Sequence, residues 1–100
     1  MTTTYRLDWT TEELSGIEKT FNYNDYIFLI ISTGAYSNIM ESIVVTTDYF
    51  SATYSSNRII LCCNESTIEV WKNSSNSIYV KGTSLFANQR VHIDGILKKK

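Results

Sequence analysis

Short segments rich in residues that branch at Cβ recur along this chain, and segments rich in Ser and Asn separate them. Thr, Ile and Val occur 12, 12 and 5 times, against 3 Ala and no Pro. Branching at Cβ restricts χ1 and suits the pleated surface of a strand better than the flank of a helix. Turn-forming residues recur roughly every ten positions, so the sequence predicts an all-β fold, a single antiparallel, jelly-roll-like β-sandwich of about eight short strands.

A length of 100 residues limits the chain to one hydrophobic core. We predict a single domain over residues 1–100, in which residues 98–100, all Lys, form a basic terminal tail.

The net charge of −1 argues against a nucleic-acid partner. Met1–Arg6 lacks the basic start and apolar core of a signal peptide, and no apolar run approaches the roughly 20 residues of a membrane helix. We therefore expect a protein made in the cytoplasm, with no membrane insertion.

The longest apolar run, Tyr26–Thr33, predicts a central strand. Continuous apolarity along a strand means that both of its faces are covered, by a neighbouring layer or by a second chain. Ile27, Leu29 and Ile31 are therefore candidates for an oligomer interface. The run Arg58–Cys63 indicates a second buried strand, in which Cys62 and Cys63 point to opposite faces.

Chemistry that would support an enzyme is sparse. His92 is the single histidine, and Asp94 lies two residues further on the same predicted strand face. With a nearby serine this pair could build a hydrolase, but a strand histidine with an ordinary polar partner is the simpler interpretation. Adjacent cysteines with one distant histidine match no zinc-ligand spacing, and the four glycines form no phosphate-binding loop. We predict a non-enzymatic protein with no catalytic residue, metal or cofactor.

Three tyrosines, Tyr36, Tyr49 and Tyr54, fall among Ser, Thr and Asn in segments with loop composition. Tyrosine among small polar residues combines rigid amphipathic contact area with adaptable hydrogen bonding, as in many recognition surfaces. The three are therefore candidates for ligand binding. The alternative is that such tyrosines cap the ends of the sandwich core.

Two segments, Asn24–Ile30 and Val91–Lys99, resemble parts of small β-sandwich domains in the tail and receptor-binding proteins of bacteriophages. Asn24–Ile30 is similar to their polar, Tyr-containing entry into a long apolar strand. Val91–Lys99 is similar to their final strand in its Gly-Ile centre and basic end, with Asp94 where those domains tend to carry an aromatic residue. The resemblance transfers no catalytic residue.

The resemblance implies a structural or host-adsorption module of a virion, of the tail-fibre type. Such modules are commonly trimeric, so it implies a homotrimer that contacts a host-surface glycan or other virion proteins. It also implies that the protein is located in the virion. Lysis of the host releases the virion, so such a protein needs no signal peptide. The alternative is a free-standing carbohydrate- or protein-binding β-sandwich.

Overall fold

The computed structural model describes residues 3–35 and 38–97. Over these residues the chain forms eight strands, one short α-helix and two 3-10 helices. The strands are β1 (Thr3–Trp9), β2 (Ile17–Thr20), β3 (Tyr26–Ala35), β4 (Asn38–Thr46), β5 (Ile59–Cys63), β6 (Ser66–Ser74), β7 (Ser77–Thr83) and β8 (Gln89–Leu97). The α-helix is α1 (Thr47–Ser51), and the 3-10 helices are Glu12–Ser15 and Tyr23–Asp25.

The strands form two antiparallel sheets, in the orders β1-β8-β3-β4 and β2-β7-β6-β5. This arrangement confirms the predicted all-β sandwich of eight strands. The arrangement of the strands is jelly-roll-like. The first strand, β1, pairs with the last, β8, in one sheet, and β2 pairs with β7 in the other. Hairpins join β3 to β4 and β5 to β6 to β7.

The core fills the space between the sheets with alternate side chains from each strand. On β6, for example, Ile68 and Val70 are fully buried while Thr67 and Glu69 on the other face are half-exposed. Burial along this part of β6 therefore alternates with the period of two that a strand with one buried face requires. The largest fully buried side chains are those of Trp9, Tyr23, Phe50, Leu14, Leu29 and Ile31.

The same alternation corrects the predicted oligomer interface. Leu29 and Ile31 point into the sandwich and are fully buried, so the prediction that they contact a second chain is wrong. Ile27 is exposed, and its role at an interface stays a prediction. The apolar run Tyr26–Thr33 is continuous because β3 lies between β8 and β4, whose neighbouring side chains half-cover its outer face.

The strand predicted from Arg58–Cys63 is present as β5, but it lies at a sheet edge and pairs with β6 alone. Its outward residues Ile60 and Cys62 are exposed, whereas Cys63 is buried. The two thiols therefore point to opposite faces as expected, while the prediction of burial on both faces is wrong.

Candidate functional site

The two sides of the sandwich differ in how their edge strands are protected. One side carries the edge strands β1 and β2, and the other carries β4 and β5. An edge strand presents unpaired backbone N–H and C=O groups, and folded proteins protect such edges with short strands, charges, bulges or covering segments.

The β1–β2 side has several of these protections. Strand β2 is four residues long, and the segment between β1 and β2 spans both sheets. Trp9 Nε1 donates a hydrogen bond to the carbonyl of Ile17 at 3.0 Å, which ties the two edges together. Lys19 adds hydrogen bonds to the Asp8 carbonyl and to Glu13, the latter at 3.0 Å. These contacts place charges and a crossing segment where another chain would have to approach.

The β4–β5 side is different. Strand β4 is nine residues long, eight of which are exposed, and Glu41 is its one charged residue. Of the nine large hydrophobic residues exposed in the described part of the chain, six lie on this side, and each is 37 to 64% exposed. We call this surface the open edge; it consists of Ile39, Met40, Ile43 and Val44 of β4, Tyr49 of α1 and Ile60 of β5.

A groove of about 490 Å³ separates β4 from β5 along the open edge. Ile43 and Val45 line it from one sheet and Ile59 and Ile60 from the other. The two strands belong to different sheets, so they approach each other through side chains, and Cys63 Sγ lies 3.9 Å from Met40 Sδ. The inner residues of the groove, Val45 and Ile59, are buried, and the exposed apolar residues Ile43 and Ile60 form its rim.

Arg58 also lines this groove, but its charge is neutralised within its own sheet. The guanidinium forms an ion pair with Glu69 and lies 4.0 Å from the centroid of the Trp71 ring. Its Nε donates to the carbonyl of Ser55 at 2.7 Å. The open edge therefore carries no strong positive or negative charge that would select a highly charged ligand.

The three predicted ligand-binding tyrosines do not form one cluster in the described residues. Tyr49 is exposed on α1 and lines the groove. Tyr54 is also exposed, with Lys72 Nζ of β6 lying 4.4 Å from its ring centroid. Tyr36 lies outside the described residues. The core at this end is instead capped by Phe50, which is fully buried against Tyr23 at a centroid distance of 5.1 Å.

His92 and Asp94 share a strand face but do not pair with each other. His92 Nδ1 contacts the carboxylate of Asp8 on β1, and Asp94 binds Arg6 through two hydrogen bonds of 2.8 and 3.1 Å. The hydrogen bond to Asp94 is the main reason that the pKa of Arg6 is raised. Cross-strand neighbours outcompete the i+2 neighbour because opposite residues of paired strands are closer than residues i and i+2 of one strand.

Ser32 of β3 lies opposite His92 in the sheet register, so Asp8, His92 and Ser32 form a row across three strands. These are the residue types of a hydrolytic triad. Ser32 is 2% exposed, however, and a nucleophile must be reachable by the substrate carbonyl that it attacks. The row is therefore better explained as a polar contact on the outer face of the sheet than as a catalytic centre.

The described residues contain no group of three or more His, Cys, Asp or Glu side chains that could hold a metal ion. None of the helices formed by these residues has the length and hydrophobicity that a membrane-spanning segment requires. Comparison of the chain with protein-family models, with curated proteins and with solved structures finds no match.

Sequence reasoning missed the open edge. The signal was present in β4, where Ile39-Met40 and Ile43-Val44-Val45 place apolar residues on both faces of one strand. The same continuity in β3 marks a strand with neighbours on both sides. In β4 it marks an edge that has a neighbour on one side only, and the sequence does not distinguish the two cases.

Proposed function

We propose that this protein is a non-enzymatic β-sandwich module that assembles as a homo-oligomer through the open edge. The observation that supports this is the contrast between the two sides of the sandwich: six exposed apolar side chains lie on the β4–β5 side, and the β1–β2 side is protected. A long apolar edge strand that stays uncovered invites non-specific pairing and aggregation. Covering by another copy removes this liability and places no demand on a second gene product.

The biological setting of such a module is proposed from the sequence resemblance. Under this proposal the protein is a structural or host-adsorption component of a bacteriophage virion, and its other partners are virion proteins or a host-surface glycan. The similar segments, Asn24–Ile30 and Val91–Lys99, contribute the central strand β3 and its neighbour β8. The resemblance also implies a trimer as the oligomer.

Size-exclusion chromatography with multi-angle light scattering tests the assembly. The wild-type protein is expected to be oligomeric at micromolar concentration. Ile60→Lys, which places a charge on the open edge, should shift it to a monomer. Ile17→Lys is the matched control, because Ile17 is an exposed isoleucine on the edge strand β2 of the protected side, and it should leave the oligomer intact. A wild-type monomer throughout the concentration series contradicts the proposal.

A second candidate function is recognition of a carbohydrate or protein by a free-standing module. The exposure of Tyr49 and Tyr54, 64% and 54%, favours it, since tyrosine combines a large apolar ring with a polar hydroxyl and is enriched at interfaces. A glycan array with wild-type protein, Tyr49→Ala and Tyr54→Ala tests it. A binder should give a signal that one of the alanine variants loses; the absence of any signal from the wild type argues for a purely structural module.

A further inference from the structure

We infer that Met40 of β4 and Cys63 of β5 form a binding site for a soft monovalent metal cation, of which Cu(I) is the biological example. The two sulfur atoms, Met40 Sδ and Cys63 Sγ, lie 3.9 Å apart. The two strands belong to different sheets, so a bound cation joins the sheets across the β4–β5 side of the sandwich. The site is complete within one chain and does not depend on the proposed assembly.

A β-bulge accounts for the position of Met40. Glu41 pairs with Thr33 of β3 and Ile39 pairs with Gly34, so Met40 between them is the extra residue of the bulge. Strict alternation would place Met40 on the outer face, because its neighbour Glu41 lies opposite the fully buried Thr33. An extra residue breaks the alternation, and bulges re-aim side chains in this way next to functional sites. The bulge therefore lets the sulfur of Met40 reach a side chain of the opposite sheet.

Cys63 supplies the second sulfur from the other sheet. Burial alternates along β5, and Cys63 is on the inward face together with Ile59 and Leu61. Cys63 is 5% exposed and Met40 is 48% exposed, so a cation from solvent reaches the pair from the Met40 side. On binding, the thiol exchanges its proton for the cation and the proton leaves to solvent. The bound form is a neutral pair of thiolate and Cu(I), which suits a largely buried position.

The two donor atoms select a soft cation. Thiolate and thioether sulfur favour Cu(I), whereas Mg²⁺ and Ca²⁺ take oxygen ligands. A structural zinc site takes four ligands, and the described residues bring together no three His, Cys, Asp or Glu side chains that could supply them. The sequence predicts no metal site, because Met40 and Cys63 are 23 positions apart and match no ligand spacing.

The separation of the sulfur atoms also fits a metal bridge. With metal–sulfur bonds of about 2.3 Å, two sulfur atoms at 3.9 Å subtend an angle of roughly 115° at the metal. This angle is close to that of trigonal coordination, so the ion fits between the two atoms without a change in their separation. It leaves a third position for a small external ligand on the solvent side.

The charge of the surroundings favours a cation. A depression of about 360 Å³ continues from the sulfur pair along β4 and β5, and Glu41 is the one charged residue among those that line it. Arg58, the basic residue next to β5, lies at the opposite end of that strand and is paired with Glu69. A carboxylate beside the site lowers the energy of a bound positive ion.

Anaerobic titration with Cu(I), in competition with a colourimetric Cu(I) chelator, tests the site. Cys62→Ser serves as the parent, because it removes the exposed thiol that would bind soft metals by itself. The parent should bind one Cu(I) per chain. Met40→Leu in this background should weaken binding by roughly tenfold or more, since even an outer partner of a metal ligand typically contributes that much. Ile39→Leu is the matched control at the exposed neighbouring residue and should leave the affinity unchanged.

Thermal unfolding of the same variants gives a second measurement. A cation that binds the folded chain stabilises it by mass action, so excess Cu(I) should raise the unfolding midpoint of the parent by roughly 5 °C or more. The rise should be less than half as large for Met40→Leu, which keeps the thiol and loses the thioether.

Three outcomes overturn the inference. Equal Cu(I) affinity of Met40→Leu and Ile39→Leu shows that the thioether is not a ligand. Binding by the wild type but not by the Cys62→Ser parent assigns the metal to the exposed thiol. One Cu(I) per two chains, with a doubled mass by light scattering on addition of metal, shows that cysteines of two copies hold it. Light scattering without metal tests the proposed assembly separately.

Discussion

Gln89 of β8 donates a hydrogen bond to Ser66 of β6 across the interior, with 3.0 Å between Nε2 and Oγ, and so links the two sheets. The same Nε2 donates to Thr33 Oγ1 at 3.1 Å, and Oε1 accepts from the backbone N–H of Phe86 at 3.2 Å. Gln89 is fully buried. Both donors and the acceptor of its amide are therefore satisfied, which is the condition for a buried polar group to stabilise a fold.

Replacement of this amide should be costly. Gln89→Leu keeps a similar volume but leaves the Phe86 N–H without the acceptor Oε1 and removes the link between Thr33 and Ser66. We expect a loss of about 1–3 kcal/mol in the free energy of unfolding, measured by urea denaturation. A change below about 0.5 kcal/mol would show that the network contributes little to holding the sheets together.

Stability at acidic pH should depend on Glu13. Its carboxylate accepts a hydrogen bond from the backbone N–H of Thr10 at 2.9 Å and lies 3.0 Å from Lys19 Nζ, and these contacts, the Thr10 bond first, lower the pKa of Glu13. A lowered folded-state pKa stabilises the protein above the unfolded value of about 4.3, and this stabilisation is lost as the pH falls through the folded-state pKa.

Comparison of wild type with Glu13→Gln by urea denaturation at several pH values measures this contribution. The variant should be less stable than wild type near neutral pH, and the difference should shrink as the pH falls towards 3. Glu12→Gln is the control for the loss of a carboxylate from the same 3-10 helix, because Glu12 is the exposed neighbour of Glu13. A Glu13 difference that stays constant with pH contradicts the assigned contacts.

The two neighbouring aromatic residues of α1 should respond very differently to truncation. Phe50 is fully buried against Tyr23, so Phe50→Ala should cost about 3–5 kcal/mol of unfolding free energy. Tyr49 is 64% exposed in the described chain, and Tyr49→Ala should change the stability of the monomer by less than about 0.5 kcal/mol. Equal effects in thermal or urea unfolding would contradict the orientation of this helix.

His92 should be dispensable for any hydrolytic activity. Its imidazole contacts Asp8, and the serine opposite it is buried, so His92→Ala should behave as wild type in esterase and glycosidase screens. The lost cross-strand pair should cost less than about 1 kcal/mol, since pairs on the outer face of a sheet contribute little. Activity in the wild type that disappears in His92→Ala would support the hydrolase interpretation instead.

The all-β class and the eight strands could be predicted from sequence because both follow from local patterns, alternation and turn composition. The burial of Ile68 and Val70 against Thr67 and Glu69 is an example in which the period alone decides the face. The position of a strand within its sheet does not follow from such patterns. Leu29 and Ile60 both lie in apolar runs, yet one is in the core and the other is exposed at an edge.

The candidate site could not be predicted from the sequence, because it depends on the position of each strand within its sheet. Its apolar residues are exposed because β4 and β5 end their sheets on the same side of the sandwich, which is a property of topology. The pairing of His92 with Asp8 likewise depends on the register between β1 and β8, which joins residues 84 positions apart. Long-range register of this kind cannot be read from one sequence, whereas the separation of the two cysteines onto opposite faces could be.

Amide hydrogen exchange of wild-type protein at low and high concentration tests the central claim most directly, because it reports both assembly and its location without any substitution. We predict that backbone amides of β4, residues 38–46, become more protected as concentration rises, while those of the edge strands β1 and β2 do not change. Equal exchange of β4 at both concentrations, in samples that light scattering shows to differ in assembly, would contradict the claim that the open edge is where copies meet.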